Sequence, residues 1–257
     1  MPVSSGGCCE PSALAGGDHF APKYLVGNVL AGDSAVPQVG AFRYIPDPGD
    51  GTGIALALAE AIASPGDVMI RRGTYTKAAG QLRFAVPAGV RVYGAGSSTV
   101  IIGSNADNCI FALAAGASVD TMALRHPGTA IGVGVGVVEM LAADVEATRL
   151  RISIVVARAI RAIYASGGAT TVSPTIEDNV IGTGFSPVIT VGAAAEVVQD
   201  ARVANNRIAS AAAVVPVAIG AGADNTQVQG NTSRGSGATL PTDLGAGSNI
   251  ANNIWGA

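Results

Sequence analysis

The chain has 257 residues, a net charge of −3, and a hydrophobic content of 49% with only 4% aromatic and 13% charged residues. Without a basic face to neutralise phosphates it is not expected to bind nucleic acid. No apolar stretch reaches the roughly 20 residues needed to span a bilayer, so no membrane contact is expected either. Small and β-branched residues dominate, which suits stacked strands better than a compact α/β enzyme.

Residues 1–40 are rich in Gly, Ser, Pro and Ala without periodicity and read as an extended anchoring arm. Phe20, Tyr24, Leu25 and Val26 lie in it with few local partners and are expected to dock on another surface. The opening segment MPVSSGGCCEPSALAGG lacks the basic and apolar regions of a secretory signal, so no signal peptide is expected. Cys8 and Cys9 in the arm are expected to be reduced thiols, and Cys109 a small buried hydrophobe.

From Thr52, the segment TGIALALAEAIAS predicts one amphipathic helix with Thr52 as its N-cap, stopped by Ser64-Pro65-Gly66-Asp67. Short strands then follow at residues 68–70, 82–86 and 90–94, separated by turn residues at 72–75 and 87–89. That spacing is too tight for helical crossovers, so the strands must be wound as coils or paired as a meander.

A repeat in the second half favours coils. PTIEDNVIG, ARVANNRIA, TQVQGNTSR and SNIANNIWG carry Asn179, Asn206, Asn231 and Asn253, each with an aliphatic residue three positions earlier: Ile176, Val203, Val228 and Ile250. The frame extends backwards to ADVEATRLRI and ASVDTMALRH. A second apolar segment recurs upstream of each turn, at residues 109–113, 137–141, 162–165, 187–191 and 215–219. Such units bury an apolar face only by stacking. The four asparagines are expected in left-handed or bridging bends, forming a structural ladder of side-chain amides. The fold expected is all-β, a right-handed parallel β-helix over residues 41–257 with one short capping helix.

The segments DGTGIALALAEAIASPGDVMIRRGTYT and VPAGVRVYGAGSSTVI, within residues 42–102, resemble the opening of the pectate-lyase-like superfamily of β-helices, which includes many phage tailspikes. That resemblance implies a helix capping the first coil and a PGD turn into the first strand. FAPKYLVGNVLAGDSA resembles leader segments that join phage proteins to their particle. The resemblance implies a homotrimer bound to other virion proteins through residues 1–40.

Enzymes of that superfamily would show acidic Ca²⁺ ligands with a basic residue, or two or three Asp with a nearby His, on adjacent coils. Here only Glu146 and Asp178 sit near the same turn in successive coils. His126 in RHPG is expected at a surface bend, no metal or cofactor is expected, and the alternating glycines at 132–138 fit packed strands. Arg149, Arg151, Arg158 and Arg161 form the densest basic stretch and are expected at surface or intersubunit contacts. Tyr75, Tyr93, Phe111, Tyr164, Phe185 and Trp255 are too scattered for an adhesin's aromatic platform. The expectation is a non-enzymatic structural protein of a phage or phage-like particle, made in the host cytoplasm and located in the virion as a head decoration, fibre or tail spike. The alternative is a polysaccharide depolymerase or lyase acting on a host surface glycan, with Glu146 and Asp178 as its carboxylate pair.

Overall fold

The computed structural model describes residues 22–28, 43–78, 80, 82–104, 109–128, 136–155, 161–165, 171–192, 196–209, 214–235 and 241–255. In chain order its elements begin with β1 (Tyr24–Asn28), β2 (Arg43–Asp47), helix α1 (Thr52–Ala63), β3 (Val68–Ile70), β4 (Gly73–Thr76), β5 (Phe84–Val86) and β6 (Arg91–Ile102). There follow β7 (Phe111–Leu113), β8 (Ser118–His126), β9 (Gly136–Met140), β10 (Glu146–Thr148), β11 (Arg151–Ile154), β12 (Arg161–Ala165) and β13 (Thr171–Val172). Next are β14 (Thr175–Glu177), β15 (Val180–Ile181), β16 (Ile189–Val191), β17 (Val198–Gln199), β18 (Arg202–Ala204) and β19 (Arg207–Ala209). The last are β20 (Val217–Ile219), β21 (Ala223–Asp224), β22 (Gln227–Gln229), β23 (Thr232–Arg234), β24 (Thr242–Asp243), β25 (Asn249–Ala251) and β26 (Ile254–Trp255).

Each strand pairs in parallel with its counterpart one coil away, and the stack forms a right-handed parallel β-helix of about six turns. One face runs β5-β7-β9-β12-β16-β20-β24. The long β8 bends across a corner, so that its first half continues a second face through β10, β14, β18, β22 and β25. Its second half continues a third through β11, β15, β19, β23 and β26.

Register puts like residues on top of like. Val92, Val119, Ala147, Ile176, Val203 and Val228 form one inward file, each fully buried. These include three of the aliphatics that precede the repeated asparagines. Because side chains alternate along a strand, a one-residue slip would turn this whole file outward, and the file therefore fixes the register.

The corner between the second and third faces needs a left-handed residue, which costs an ordinary L-residue roughly 1–2 kcal/mol. Arg149, Asp178, Asn205, Gly230 and Asn252 take it, with φ of 51°, 57°, 56°, 66° and 56°. The repeated asparagine is therefore the residue after the bend and not the bend residue itself, which corrects the expectation from sequence. Its side chain is thereby free to run along the stack. Asn179 Nδ2 donates to Asn206 Oδ1, Asn206 Nδ2 to Asn231 Oδ1 and Asn231 Nδ2 to Asn253 Oδ1, each at 2.9 Å. Each Oδ1 also accepts the backbone N–H of the asparagine before it, at 2.8–3.1 Å. Leu150 occupies the position above Asn179, and its N–H donates to Asn179 Oδ1 at 2.9 Å.

At the first coils, α1 packs Ile54, Ala57, Leu58 and Ala61 onto the open end of the stack. Its N-cap is Gly51, in the left-handed region at φ 79°, and not Thr52, which is the first helical residue. The fully buried Asp47 gathers the local N–H groups: Oδ1 accepts from Gly49 (2.8 Å) and Gly51 (3.1 Å), and Oδ2 from Ile54 (3.1 Å). Strand β1 lies between β2 and β3 although it precedes both in the chain. Tyr24 and Val26 are buried within this first coil and Leu25 is half-buried, so residues 24–28 belong to the solenoid. Phe20, Cys8, Cys9 and Arg158 lie outside the described residues. Among the described residues no helix is long and apolar enough to cross a membrane.

Candidate active site

The outward file of the first face runs Ala85, Ala112, Glu139, Tyr164, Thr190, Ala218 and Thr242. Methyl groups at one end give way to three polar side chains on successive coils, spaced by the roughly 4.8 Å between parallel strands. All three are buried, at 3% exposure for Glu139, 7% for Tyr164 and 5% for Thr190. Buried polar groups need partners, and here the partners are charged.

Arg83 Nη1 lies 2.5 Å from Glu139 Oε2. The Tyr164 hydroxyl donates to Glu196 Oε2 at 2.5 Å, from a bend beyond β16. Arg161, the register partner of Gly136, lays its guanidinium 4.6 Å from the Tyr164 ring centre, and its Nε donates to Thr190 Oγ1 at 2.9 Å. A Cβ at Gly136 would sit 2.9 Å from Tyr164 Cβ, so this glycine makes room for the tyrosine. Two carboxylates, a phenol and two guanidinium groups thus converge on one sheet surface. Such a set can take a proton, return it, and hold an anionic group beside the exchange.

The residues singled out in sequence fall elsewhere. Glu146 lies opposite Ser118 and Thr175, whereas Asp178 follows Glu177, the partner of Thr148, and so stands opposite Arg149. The backbones of Glu146 and Asp178 are offset by three residues along the strand direction, roughly 10 Å. Arg149 feels the charge of both, but its charged form is held chiefly by its hydrogen bonds to Asp120. His126 is fully buried, with Nδ1 accepting from the Gly128 N–H at 3.0 Å, and is not a surface bend residue. Cys109 is fully buried. Among the described residues no group of three or more His, Cys, Asp and Glu is placed to hold a metal. The signal for the cluster was present in the sequence as single polar residues inside apolar runs: Glu139 within 137–141 and Tyr164 within 162–165.

No family model matches the chain, and no curated protein sequence matches it. Among solved structures it is similar to the A-module of the Azotobacter vinelandii mannuronan C-5 epimerase AlgE6, at 16% identity over 81% of this chain and 92% of that one, with a TM-score of 0.37. The AlgE4 A-module from the same organism is similar at 14% identity over 79% and 97%, with a TM-score of 0.31. ORF18 of Geobacillus virus E2 is similar at 14% identity over 80% of this chain and 58% of that one, with a TM-score of 0.30. The fold is a right-handed parallel β-helix. The expectation of a non-enzymatic chain is not retained: two of these three structures are by name mannuronan C-5 epimerases.

Proposed function

We propose that this chain is a polysaccharide depolymerase or lyase that acts on a host surface glycan and is carried by a phage or phage-like particle. The observation that carries the reading is the 2.5 Å contact between the Tyr164 hydroxyl and Glu196, beside Glu139 on the neighbouring strand and under Arg161. Cutting a glycosidic bond by either route requires a group that takes a proton and a group that protonates the leaving oxygen. Glu139 and Glu196 supply the two carboxyl groups that hydrolysis uses. Elimination from a sugar acid instead uses Tyr164 to move the proton while Arg161 or Arg83 offsets the charge that builds on the sugar carboxylate. The resemblance of residues 42–102 to β-helices that include tailspikes supports the particle as the setting, with self-association as a trimer and attachment through the N-terminal residues.

The test is a panel of bacterial surface glycans, scored for new reducing ends and for unsaturated products, with the native chain, Tyr164→Phe and Glu196→Gln. At least one glycan should be cleaved, and each variant should lower the rate about 10²-fold or more, the usual contribution of a positioned acid or base. Cleavage that survives both substitutions, or no cleavage of any glycan by a folded native chain, would overturn the reading.

A further inference from the structure

The third face carries a second site of different character. Its outward files form a continuous open groove along the helix axis, from Ser97 and Val100 past Arg151 and Val180 to Thr232 and Arg234. The hollows along it measure about 410–460 Å³ each and share Val180, Ile181, Arg207 and Thr232 among their walls. Four arginines line it: Arg125, Arg151, Arg207 and Arg234, all exposed. Among the described residues Asp178 is the single carboxylate in its wall.

These arginines differ from the others whose pairing is seen. Arg43, Arg83, Arg91, Arg149 and Arg202 each hold a carboxylate. Among the described residues none of the four groove arginines does. Arg151 and Arg207 are in one file two coils apart, through Val180. Arg125 lies opposite Ser153 and Arg234 opposite Ala209, two residues further along the strands. With about 4.8 Å per coil and 3.3 Å per residue, successive arginines stand roughly 8–10 Å apart over a span of about 19 Å.

We propose that this groove binds an extended acidic polysaccharide, one chain lying along the helix axis with its carboxylates or sulfates on successive arginines. The even spacing suits a polymer with regularly repeated charge, and Ser153, Asn205 and Thr232 offer hydroxyl and amide groups to sugar hydroxyls. A nucleic acid is disfavoured: between the arginines the walls are chiefly Val, Leu, Ile, Ala, Gly, Ser and Thr, and among the described residues no aromatic ring lines them on which a base could stack. The groove is on a different face from the Tyr164 cluster, so binding there does not depend on the cluster being catalytic.

Affinity for polygalacturonate, dextran sulfate, neutral dextran and single-stranded DNA is measured on the full chain, with native protein, Arg151→Gln/Arg207→Gln and Tyr164→Phe. The native chain should bind at least one acidic polysaccharide and not neutral dextran. If four charges are neutralised, binding should weaken about fifty-fold between 50 and 200 mM salt, and only about seven-fold for the double variant. Tyr164→Phe should bind as the native chain does, so a failed cleavage assay leaves this result standing. Equal salt dependence in native and double variant, tighter binding of DNA than of either acidic polysaccharide, or no binding of any polyanion by a folded chain would overturn the proposal. So would an oligomer that dissociates in the double variant while its polysaccharide affinity is unchanged.

Discussion

Replacing Asn206 by alanine removes the middle rung of the asparagine ladder. Asn206 is fully buried and its amide is saturated: Oδ1 accepts from the Asn179 N–H (3.1 Å) and Nδ2 (2.9 Å), while Nδ2 donates to Asn231 Oδ1 (2.9 Å) and to the Ile176 carbonyl (2.9 Å). Truncation leaves the Asn179 N–H and the Ile176 carbonyl facing a cavity, at about 1–3 kcal/mol for each buried group without its partner. The expected loss is about 3–6 kcal/mol, or a fall in Tm on the order of 10–15 °C for a chain of this size. Asn253→Ala is the internal control. Asn253 ends the ladder and its contacts are partly buried, so water can replace what is lost, and the cost should be about 1 kcal/mol. Thermal unfolding followed by circular dichroism compares the two variants under one buffer. A fall for Asn206→Ala no larger than that for Asn253→Ala would show that the amides align the coils without stabilising them.

Three further outcomes follow from particular contacts. Burial works against ionisation of Asp120, but hydrogen bonds from Arg149, Thr121 and Arg91 outweigh it, so its pKa lies below the ordinary 3.8. Its stabilisation is therefore fully present above that ordinary value and is lost as pH falls through the lowered native one; Tm measured from neutral pH into strong acid should drop more steeply for the native chain than for Asp120→Asn. Asp47→Ala strips three backbone N–H groups of their acceptor and should cost about 2–4 kcal/mol, read as a lowered urea midpoint. Gly230→Ala places a Cβ 2.6 Å from Asn205 Oδ1 at φ 66° and should cost about 1–2 kcal/mol, whereas Asn205→Gly in the same corner file should be nearly neutral, both by thermal shift.

The solenoid was legible because its signal is local and repeated. Ile176, Val203 and Val228 recur three residues before an asparagine, and they stack in one file. The bend was misplaced by one residue because the left-handed position accepts Arg149, Asp178, Asn205 and Gly230 alike, so side-chain chemistry does not mark it. The Tyr164 cluster was harder to read. Its members, Arg83, Glu139, Arg161, Tyr164 and Glu196, come from several coils whose separation varies, with the asparagine rungs alone spaced 27, 25 and 22 residues apart. The basic groove was hidden in a similar way. Of the dense arginine stretch, Arg149 is bound to Asp120 at the corner, Arg151 opens into the groove, and Arg161 lies on another face altogether.

The insertion of β1 between β2 and β3 bears on how this protein can be trimmed for expression. Shortening the chain at residue 40, where the sequence suggests an extended arm ends, would take away the strand that joins β2 to the rest of the sheet. Tyr24 would leave a gap beneath α1, where its hydroxyl meets the Ser64 carbonyl at 2.8 Å, and β2 would keep no strand neighbour among the described residues. The protein's N-terminal cut-off point is thus set by a pairing partner, and a boundary drawn from composition falls inside the folded unit.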